Sequence, residues 1–188
     1  SSYSMNKSSS LLIGFLAFLF SSCGKKENEG LIAVDSVKVE GGLISGKLDE
    51  AGEIKIFKGI PFAAPPLAKL RWKAPQPVIP WEGVKACIEN PPAPMQNPPA
   101  PFFAWTEEFL IPKEPISEDC LYLNLWTPAK STEEKLPVMV WIYGGGFSSG
   151  GNTVPLYDGE ELAKKGIVVV ALNYRVGILG FLAHPELT

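Results

Sequence analysis

The chain has 188 residues, of which 46% are hydrophobic and 20% are charged, and its formal net charge at pH 7 is -3. This is an ordinary globular composition, sufficient for one domain of moderate size or for part of a larger one. The mild acidity and the lack of a basic stripe argue against a nucleic-acid partner. Eighteen prolines and eighteen glycines predict a fold rich in loops.

The N-terminal residues 1–23 have the pattern of an export signal rather than of a folded element. Residues 11–20 (LLIGFLAFLF) form an apolar run of signal-peptide length that is too short to span a bilayer. Small residues then precede Cys23, which resembles a bacterial lipobox, where the signal is removed and the cysteine carries lipid. We therefore expect an exported lipoprotein, periplasmic or at the cell surface, that meets the membrane only through lipid on Cys23. The alternative is an ordinary signal peptide with an incidental Cys23 and a secreted protein.

Export changes the meaning of the two remaining cysteines. Cys87 and Cys120 are an even pair in an oxidising compartment, so a disulfide is the first expectation. Closing a loop of about 33 residues would contribute about 3.7 kcal/mol in the chain-entropy model. Two separate buried thiols are the alternative. A metal site is not expected, because His184 is the only histidine and no Cys-x-x-Cys spacing occurs.

The first elements after the export signal are predicted to be antiparallel strands. Residues 24–36 begin with charged and polar residues that have the composition of a disordered tether. Alternating residues on both sides of a glycine pair predict a hairpin with strands over 37–40 and 43–48. Residues 54–57 alternate again and predict a third strand.

Two proline-rich segments follow. Residues 61–80 show little periodicity and predict an extended loop. Residues 91–101 (PPAPMQNPPAP) resemble a polyproline ligand of SH3-type domains, but an exported protein would not meet such partners. We therefore interpret this segment as a surface loop, and we expect Phe102, Phe103 and Trp105 to pack beneath it.

The second half of the chain has the pattern of a strand followed by a strand-helix-strand unit. Residues 118–128 alternate and predict a strand, whereas residues 138–143 are continuously apolar and predict a strand covered on both faces. A helix is expected to begin at Asp158 as its N-cap and to end before Gly166. Residues 167–172 are the next apolar strand, so the two apolar strands should pair in parallel within an α/β sheet.

The glycine triplet at residues 144–146 lies where such sheets bind ligands, at the carboxyl end of a strand. A P-loop would need a Gly-Lys-Ser/Thr ending, which is missing. A dinucleotide fingerprint would need glycine in place of Ser149 and a helix that starts earlier. Two interpretations stay open: a set of backbone N–H groups that holds an oxyanion, or a turn that only lets strand and helix pack.

The same stretch contains the pattern G-x-S-x-G around Ser148, which is typical of a nucleophile elbow. An elbow requires a helix directly after the turn, but Pro155 stands where that helix should be running. His184 also follows too closely for the strands that normally separate nucleophile and histidine. We therefore do not expect Ser148 to be a nucleophile.

Four motifs together resemble the N-terminal part of the type-B carboxylesterases, the cholinesterase and carboxylesterase family of α/β-hydrolases. The four motifs are FKGIPFAAPPLAKLRWKAPQP over 57–77, EDCLYLNLWTP over 118–128, VMVWIYGGGFSSG over 138–150 and LNYRVGILGFLAHPEL over 172–187. The second of these motifs is close to the signature of that family.

Carried over residue by residue, the resemblance implies that the N–H groups of Gly145 and Gly146 donate to an oxyanion. A third donor would follow the nucleophilic serine. Ser148 falls within this oxyanion loop, which agrees with its exclusion as a nucleophile. The resemblance implies an α/β-hydrolase fold with a mostly parallel sheet and antiparallel N-terminal strands.

The resemblance also implies two structural pairs. Cys87 and Cys120 match the first disulfide of the family. Arg71 and Glu118 match a structural ion pair, for which a solvated surface pair is the alternative.

The resemblance covers residues 37–188 and only the opening part of the family domain. The serine elbow, the acid and the catalytic histidine are therefore expected beyond Thr188, His184 is expected to be structural, and the 188 residues alone are expected to be inactive. The implied function is hydrolysis of small-molecule carboxylic esters without metal or organic cofactor. The alternative is a non-catalytic adhesion or binding protein of the same fold at the cell surface.

Overall fold

A computed structural model describes residues 34, 36–131 and 133–187, all within one compact unit. The predicted signal peptide, Cys23 and nearly all of the tether lie outside these residues. In the part of the chain that is described, no helix is long and apolar enough to cross a membrane.

The pairing of the predicted N-terminal hairpin is confirmed, but its second strand ends at Ser45 instead of continuing to Leu48, and residues 47–48 belong to a different sheet. Strands β1 (Val37–Val39) and β2 (Gly42–Ser45) pair antiparallel, with Val37 opposite Ile44. Strand β5 (Val84–Ala86) joins the other edge of β2 in parallel, so this hairpin is part of a small three-stranded sheet.

The main sheet has five strands, β3 (Lys47–Leu48), β4 (Lys55–Pro61), β8 (Tyr122–Thr127), β9 (Val138–Ile142) and β10 (Val168–Leu172). Their order in the sheet is β3-β4-β8-β10-β9. The first strands are antiparallel, as the sequence predicts, and β9 and β10 form the parallel pair.

Residues of β4 and β8 alternate between two apolar clusters because successive strand side chains point to opposite faces. One face carries Ile56 and Trp126 into a cluster with Val169 of β10 and Ala163. The other face is covered by the small sheet, in a cluster that contains Ile44, Phe57, Ile60 and Cys87. The core therefore lies on both sides of the antiparallel half of the sheet.

The predicted strand-helix-strand unit is present, but its helix is shorter than expected. Helix α1 spans Glu160–Ala163, and Gly159 rather than Asp158 is its N-cap. The reason is a 3-10 turn, Pro155–Tyr157, after which the N–H of Asp158 donates to the carbonyl of Pro155. Asp158 still helps the helix start, because its Oδ1 accepts the N–H of Glu160 at 3.0 Å.

The expectation that the apolar strand after residue 137 is covered on both faces is wrong for the described residues. Strand β9 lies at the edge of the main sheet, and its only strand neighbour there is β10. Val138, Val140 and Ile142 are 60%, 53% and 64% exposed. A continuous apolar run indicates a strand that can be buried, whereas its burial depends on elements that pack around it.

The expectation about the aromatic residues after the Pro-rich loop (residues 91–101) is also wrong. Ala93–Pro94 is a short buried strand, β6, that pairs in parallel with β7 (Ile116–Ser117). Phe102, Phe103 and Trp105, however, are exposed rather than packed beneath the loop. Phe102 instead stacks on Trp105 with ring centroids 6.3 Å apart, so these rings form a surface cluster.

The structure does not contain the predicted disulfide, because Cys87 and Cys120 are both free and buried. Cys87 packs with the small sheet against Phe57 and Ile60, whereas Cys120 packs in a different cluster with Ala63 and Leu121. Two separately packed thiols, the alternative interpretation of the sequence, describe the structure. Burial raises the pKa of both thiols.

The remaining elements of the described chain are short helical turns. Helix α2 spans Gly177–Phe181 beyond the carboxyl end of β10. The 3-10 turns are Ala68–Leu70, Glu107–Phe109, Pro155–Tyr157 and Pro185–Leu187.

Candidate active site

The carboxyl ends of the parallel strands β9 and β10 are followed by the glycine loop (residues 144–151). Gly145 has φ +140° and Gly146 has φ +59°, conformations that other residues rarely adopt. A Cβ on Gly145 would overlap the carbonyl oxygen of Ser149. The glycine at this position is therefore required by a close approach of two backbone segments and not only by turn preference.

The loop is closed by hydrogen bonds to a single carbonyl. The oxygen of Gly145 accepts the N–H groups of Ser148 at 3.1 Å and of Ser149 at 3.2 Å. The side-chain hydroxyl of Ser148 donates to the same oxygen at 3.1 Å. Ser148 therefore serves the turn. The imidazole Nδ1 of His184 accepts the N–H of Glu186, and no hydrogen bond joins His184 to Ser148 among the described residues.

The N–H groups of Gly145 and Gly146 donate to no protein acceptor among the described residues. Both glycines line a cavity of about 660 Å³. They also line a second cavity of about 470 Å³, whose wall includes Tyr174 and Phe181. Neighbouring backbone N–H groups without protein partners at a cavity are suited to hold a negative oxygen.

The larger cavity lies between the glycine loop and the Pro-rich loop, and aromatic rings make much of its wall. Trp105 contacts Phe109 edge-on at 5.3 Å between ring centroids, and Trp141 packs on Tyr157 at 5.0 Å. Its volume falls within the range of small-molecule sites, about 300–1,000 Å³. Its lining includes Gln96, Trp105, Trp141, Gly145, Gly146 and Gly150.

Two tyrosines join the strand ends beneath the loop. The hydroxyl of Tyr143 donates to the carbonyl of Tyr174 at 2.8 Å and accepts the N–H of Tyr174 at 3.2 Å. The hydroxyl of Tyr174 donates to the carbonyl of Tyr143 at 2.9 Å, and the rings stack with centroids 4.4 Å apart. Burial raises the pKa of both hydroxyl groups, which therefore stay protonated donors.

A buried amide network anchors the C-terminal end of the loop. Asn173 is fully buried, and its Oδ1 accepts the N–H of Asn152 at 2.8 Å. Its Nδ2 donates to the carbonyl of Pro92 at 3.1 Å, while Asn152 Nδ2 donates to the carbonyl of Ala171 at 3.0 Å. Neither asparagine was predicted from the sequence, where the one signal is a polar residue directly after an apolar strand or a glycine run.

Gln96, which the sequence analysis also missed, connects the two loops. Its Nε2 donates to the carbonyl of Gly150 at 2.8 Å, and its Oε1 accepts the N–H of Gly150 at 2.8 Å. Nε2 also donates to the carbonyl of Pro94 at 2.9 Å. Its signal in the sequence was an amide within an otherwise proline-rich and apolar segment.

Arg71 and Glu118 form an ion pair, as the resemblance implies. Arg71 Nε lies 2.7 Å from Glu118 Oε2, and Arg71 Nη2 lies 2.6 Å from Glu118 Oε1. This two-pronged hydrogen bond raises the pKa of Arg71. Cys120, two residues further on, has a pKa raised to about 12 by burial and by the neighbouring charge of Asp119.

No group of three His, Cys, Asp or Glu side chains comes together in a metal-binding arrangement within the described parts of the chain.

A sequence model of the Carboxylesterase family matches residues 33–187. The fumonisin B1 esterase of Sphingopyxis macrogoltabida is 48% identical over 144 residues, which are 73% of this chain and 24% of that protein. The acetylcholinesterase of Electrophorus electricus is 49% identical over 130 residues, which are 68% of this chain and 20% of that protein. The chain thus spans about a quarter or less of the length of these relatives.

Solved structures agree with the sequence relatives. A PNB esterase superposes with a TM-score of 0.70 at 36% sequence identity. The superposed region covers 80% of this chain and 30% of the PNB esterase chain. The Geobacillus stearothermophilus carboxylesterase superposes with a TM-score of 0.66 at 36% identity, over 78% of this chain and 28% of its own. The described residues therefore share the fold of one part of these esterases.

Proposed function

This chain belongs to the carboxylesterase family and has the α/β-hydrolase fold, and from that premise we propose that the intact protein hydrolyses carboxylic esters through a serine nucleophile. The observation that carries the proposal is the pair of backbone N–H groups of Gly145 and Gly146. They have no protein acceptor in the described structure and lie at a cavity of about 660 Å³.

Ester hydrolysis needs such groups because the reaction develops charge on one oxygen. When a serine hydroxyl attacks the ester carbonyl, the carbonyl oxygen becomes an oxyanion. N–H groups already in place stabilise it without reorganising, and the loss of one donor typically raises the barrier by about 2.7–4 kcal/mol. In this proposal Gly145 and Gly146 are two donors, and the N–H that follows the nucleophile is the third.

The remaining groups of the reaction are proposed to lie outside these 188 residues. A histidine takes the serine proton and gives it to the departing alcohol, an acidic residue orients the histidine, and water then releases the acyl group. Ser148 donates to the carbonyl of Gly145 and His184 accepts from the N–H of Glu186, so neither residue is proposed as the nucleophile or the base. No metal or organic cofactor enters the proposal.

The test uses the intact protein with p-nitrophenyl esters and an alkyl phosphonate that labels reactive serines. We expect turnover, and we expect one labelled serine in a G-x-S-x-G motif encoded after Thr188. If the residue in that motif is not serine and no ester is turned over, the proposal is wrong. A non-catalytic adhesion or binding protein of the same fold is then the better interpretation.

We further propose that the protein is exported and anchored through lipid on Cys23. The support is the order of apolar run, small residues and cysteine at the N-terminus. Metabolic labelling with palmitate should mark the wild-type protein in a bacterial host and should not mark Cys23→Ser. Labelling of both proteins, or of neither, would contradict lipid attachment at this residue.

A further inference from the structure

The glycine loop is held at each end and by two other segments, because the carbonyl of Phe147 accepts the N–H of Gly177 at 2.7 Å and Gly150 bonds to Gln96. At its start, Tyr143 is fixed to Tyr174 by three hydrogen bonds. At its end, Asn152 is fixed by the buried Asn173. Between these anchors the turn that carries Gly145 and Gly146 contains no strand or helix of its own, so its position depends on contacts from outside.

Gln96 supplies side-chain hydrogen bonds to the loop from outside it. Among the described residues it is the one side chain beyond residues 144–151 that bonds to the backbone of that loop. It engages both polar groups of Gly150, as donor and acceptor, each at 2.8 Å. Its third hydrogen bond, to the carbonyl of Pro94, fixes the amide plane relative to its own loop.

We propose that Gln96 is a positioning residue for ester hydrolysis: its amide ties Gly150, and through it the turn bearing the N–H groups of Gly145 and Gly146, to the Pro-rich loop. This inference rests on the proposed function. The Pro-rich loop is also a wall of the larger cavity. The same amide therefore couples the shape of the substrate cavity to the position of the oxyanion donors.

The chemical reason lies in how strongly catalysis depends on placement. Without the amide, both polar groups of Gly150 lose their protein partners, and the adjoining turn can move. A catalytic group misplaced by about 1 Å can lower the rate about 100-fold, even when the mutation that moves it is far from the reacting atoms. Because the N–H groups act on the transition state and not on the bound ester, the loss should appear in kcat rather than in KM.

The experiment compares Gln96→Ala and Gln96→Glu with wild type in the intact protein. Gln96→Glu keeps the length and the acceptor for the N–H of Gly150, but its carboxylate cannot donate to Gly150 or Pro94. Gln76→Ala and Gln76→Glu are matched controls, because Gln76 is exposed and its Nε2 donates only to the nearby carbonyl of Ala74.

We expect both Gln96 variants to lower kcat about 10- to 100-fold with KM changed less than about threefold. Their affinity for an aryl trifluoromethyl ketone, which forms an oxyanion adduct, should fall in parallel with kcat. Amide hydrogen exchange across residues 144–151 should become faster, and the Gln76 controls should match wild type. A general loss of folded structure would instead raise exchange throughout the β-sheet core.

The outcomes separate the two proposals. Unchanged kcat in a Gln96 variant, or unchanged exchange across the glycine loop, overturns the role of Gln96 while ester hydrolysis stands. A wild-type protein that turns over no ester overturns the proposed function and the catalytic role of Gln96 with it. Faster exchange in the Gln96 variants together with the kcat loss supports both.

Discussion

Alanine substitution along the glycine triplet should affect catalysis in a graded order that the backbone geometry predicts. Gly144 has no neighbour within 4 Å of an added Cβ and no positive φ, so Gly144→Ala should be nearly neutral. Gly146 has φ +59° with open space around it, so Gly146→Ala adds only backbone strain of about 1–2 kcal/mol. Gly145→Ala adds strain and a collision with the backbone of Ser149.

The collision at Gly145 cannot be relieved by rotating a side chain, so the turn itself has to move. If one N–H leaves the oxyanion, the barrier rises by about 2.7–4 kcal/mol, which is a loss of about 100- to 1,000-fold in kcat. For Gly146→Ala we expect a loss of less than about tenfold in kcat and a lower melting temperature.

The assay is kcat and KM of the intact protein on a p-nitrophenyl ester, with thermal unfolding to confirm that each variant is folded. Active-site labelling with a phosphonate normalises for the fraction of competent protein. A folded Gly145→Ala protein that keeps kcat within about twofold of wild type would refute the assignment of this glycine as an oxyanion donor.

Three other predictions concern stability. Asn173→Ala should lower the free energy of unfolding by about 1–3 kcal/mol, because it leaves buried hydrogen-bonding partners unsatisfied. Urea unfolding measures this loss, and Asn97→Ala, at an exposed position, should change the free energy little. Stability should fall as pH rises above about 8.5, because unfolded Cys120 loses its proton there while the folded thiol, with a pKa of about 12, keeps it. Cys120→Ala should flatten this alkaline slope in calorimetry, and an unchanged slope would contradict it. Residues 24–188 expressed alone should be inactive and should aggregate through the exposed edge strand, and Val140→Lys should reduce their light scattering.

Patterns that depend on neighbouring residues were predicted well from the sequence. The alternation over 54–57 and 118–128 identified β4 and β8, and the two apolar runs identified β9 and β10 and their parallel pairing. These predictions succeed because strand periodicity and the strand-helix-strand connection are local properties. The same local logic placed the glycine loop at the carboxyl ends of the parallel strands.

Properties that depend on distant residues were not predicted. Gln96 and Gly150 are 54 positions apart, so their amide bridge has no local pattern. The disulfide between Cys87 and Cys120 was expected from cysteine parity, but parity does not reveal that the two thiols pack in different clusters. The prediction that Val138 is buried was wrong for a related reason. An apolar side chain indicates that a residue can be buried, but it does not indicate which element would cover it.

The reciprocal bonding of Tyr143 and Tyr174 has a consequence for how this site can change by mutation. Each hydroxyl serves the carbonyl of the other residue, so replacing one tyrosine by phenylalanine leaves a polar group of its partner without its donor. The carbonyls belong to the backbone and remain when the side chains change, so replacing both tyrosines leaves both carbonyls without these donors while the stacked rings stay. A second Tyr→Phe change therefore does not compensate for the first: a double-mutant cycle should show no rescue, and change at either position should be disfavoured whatever residue occupies the other.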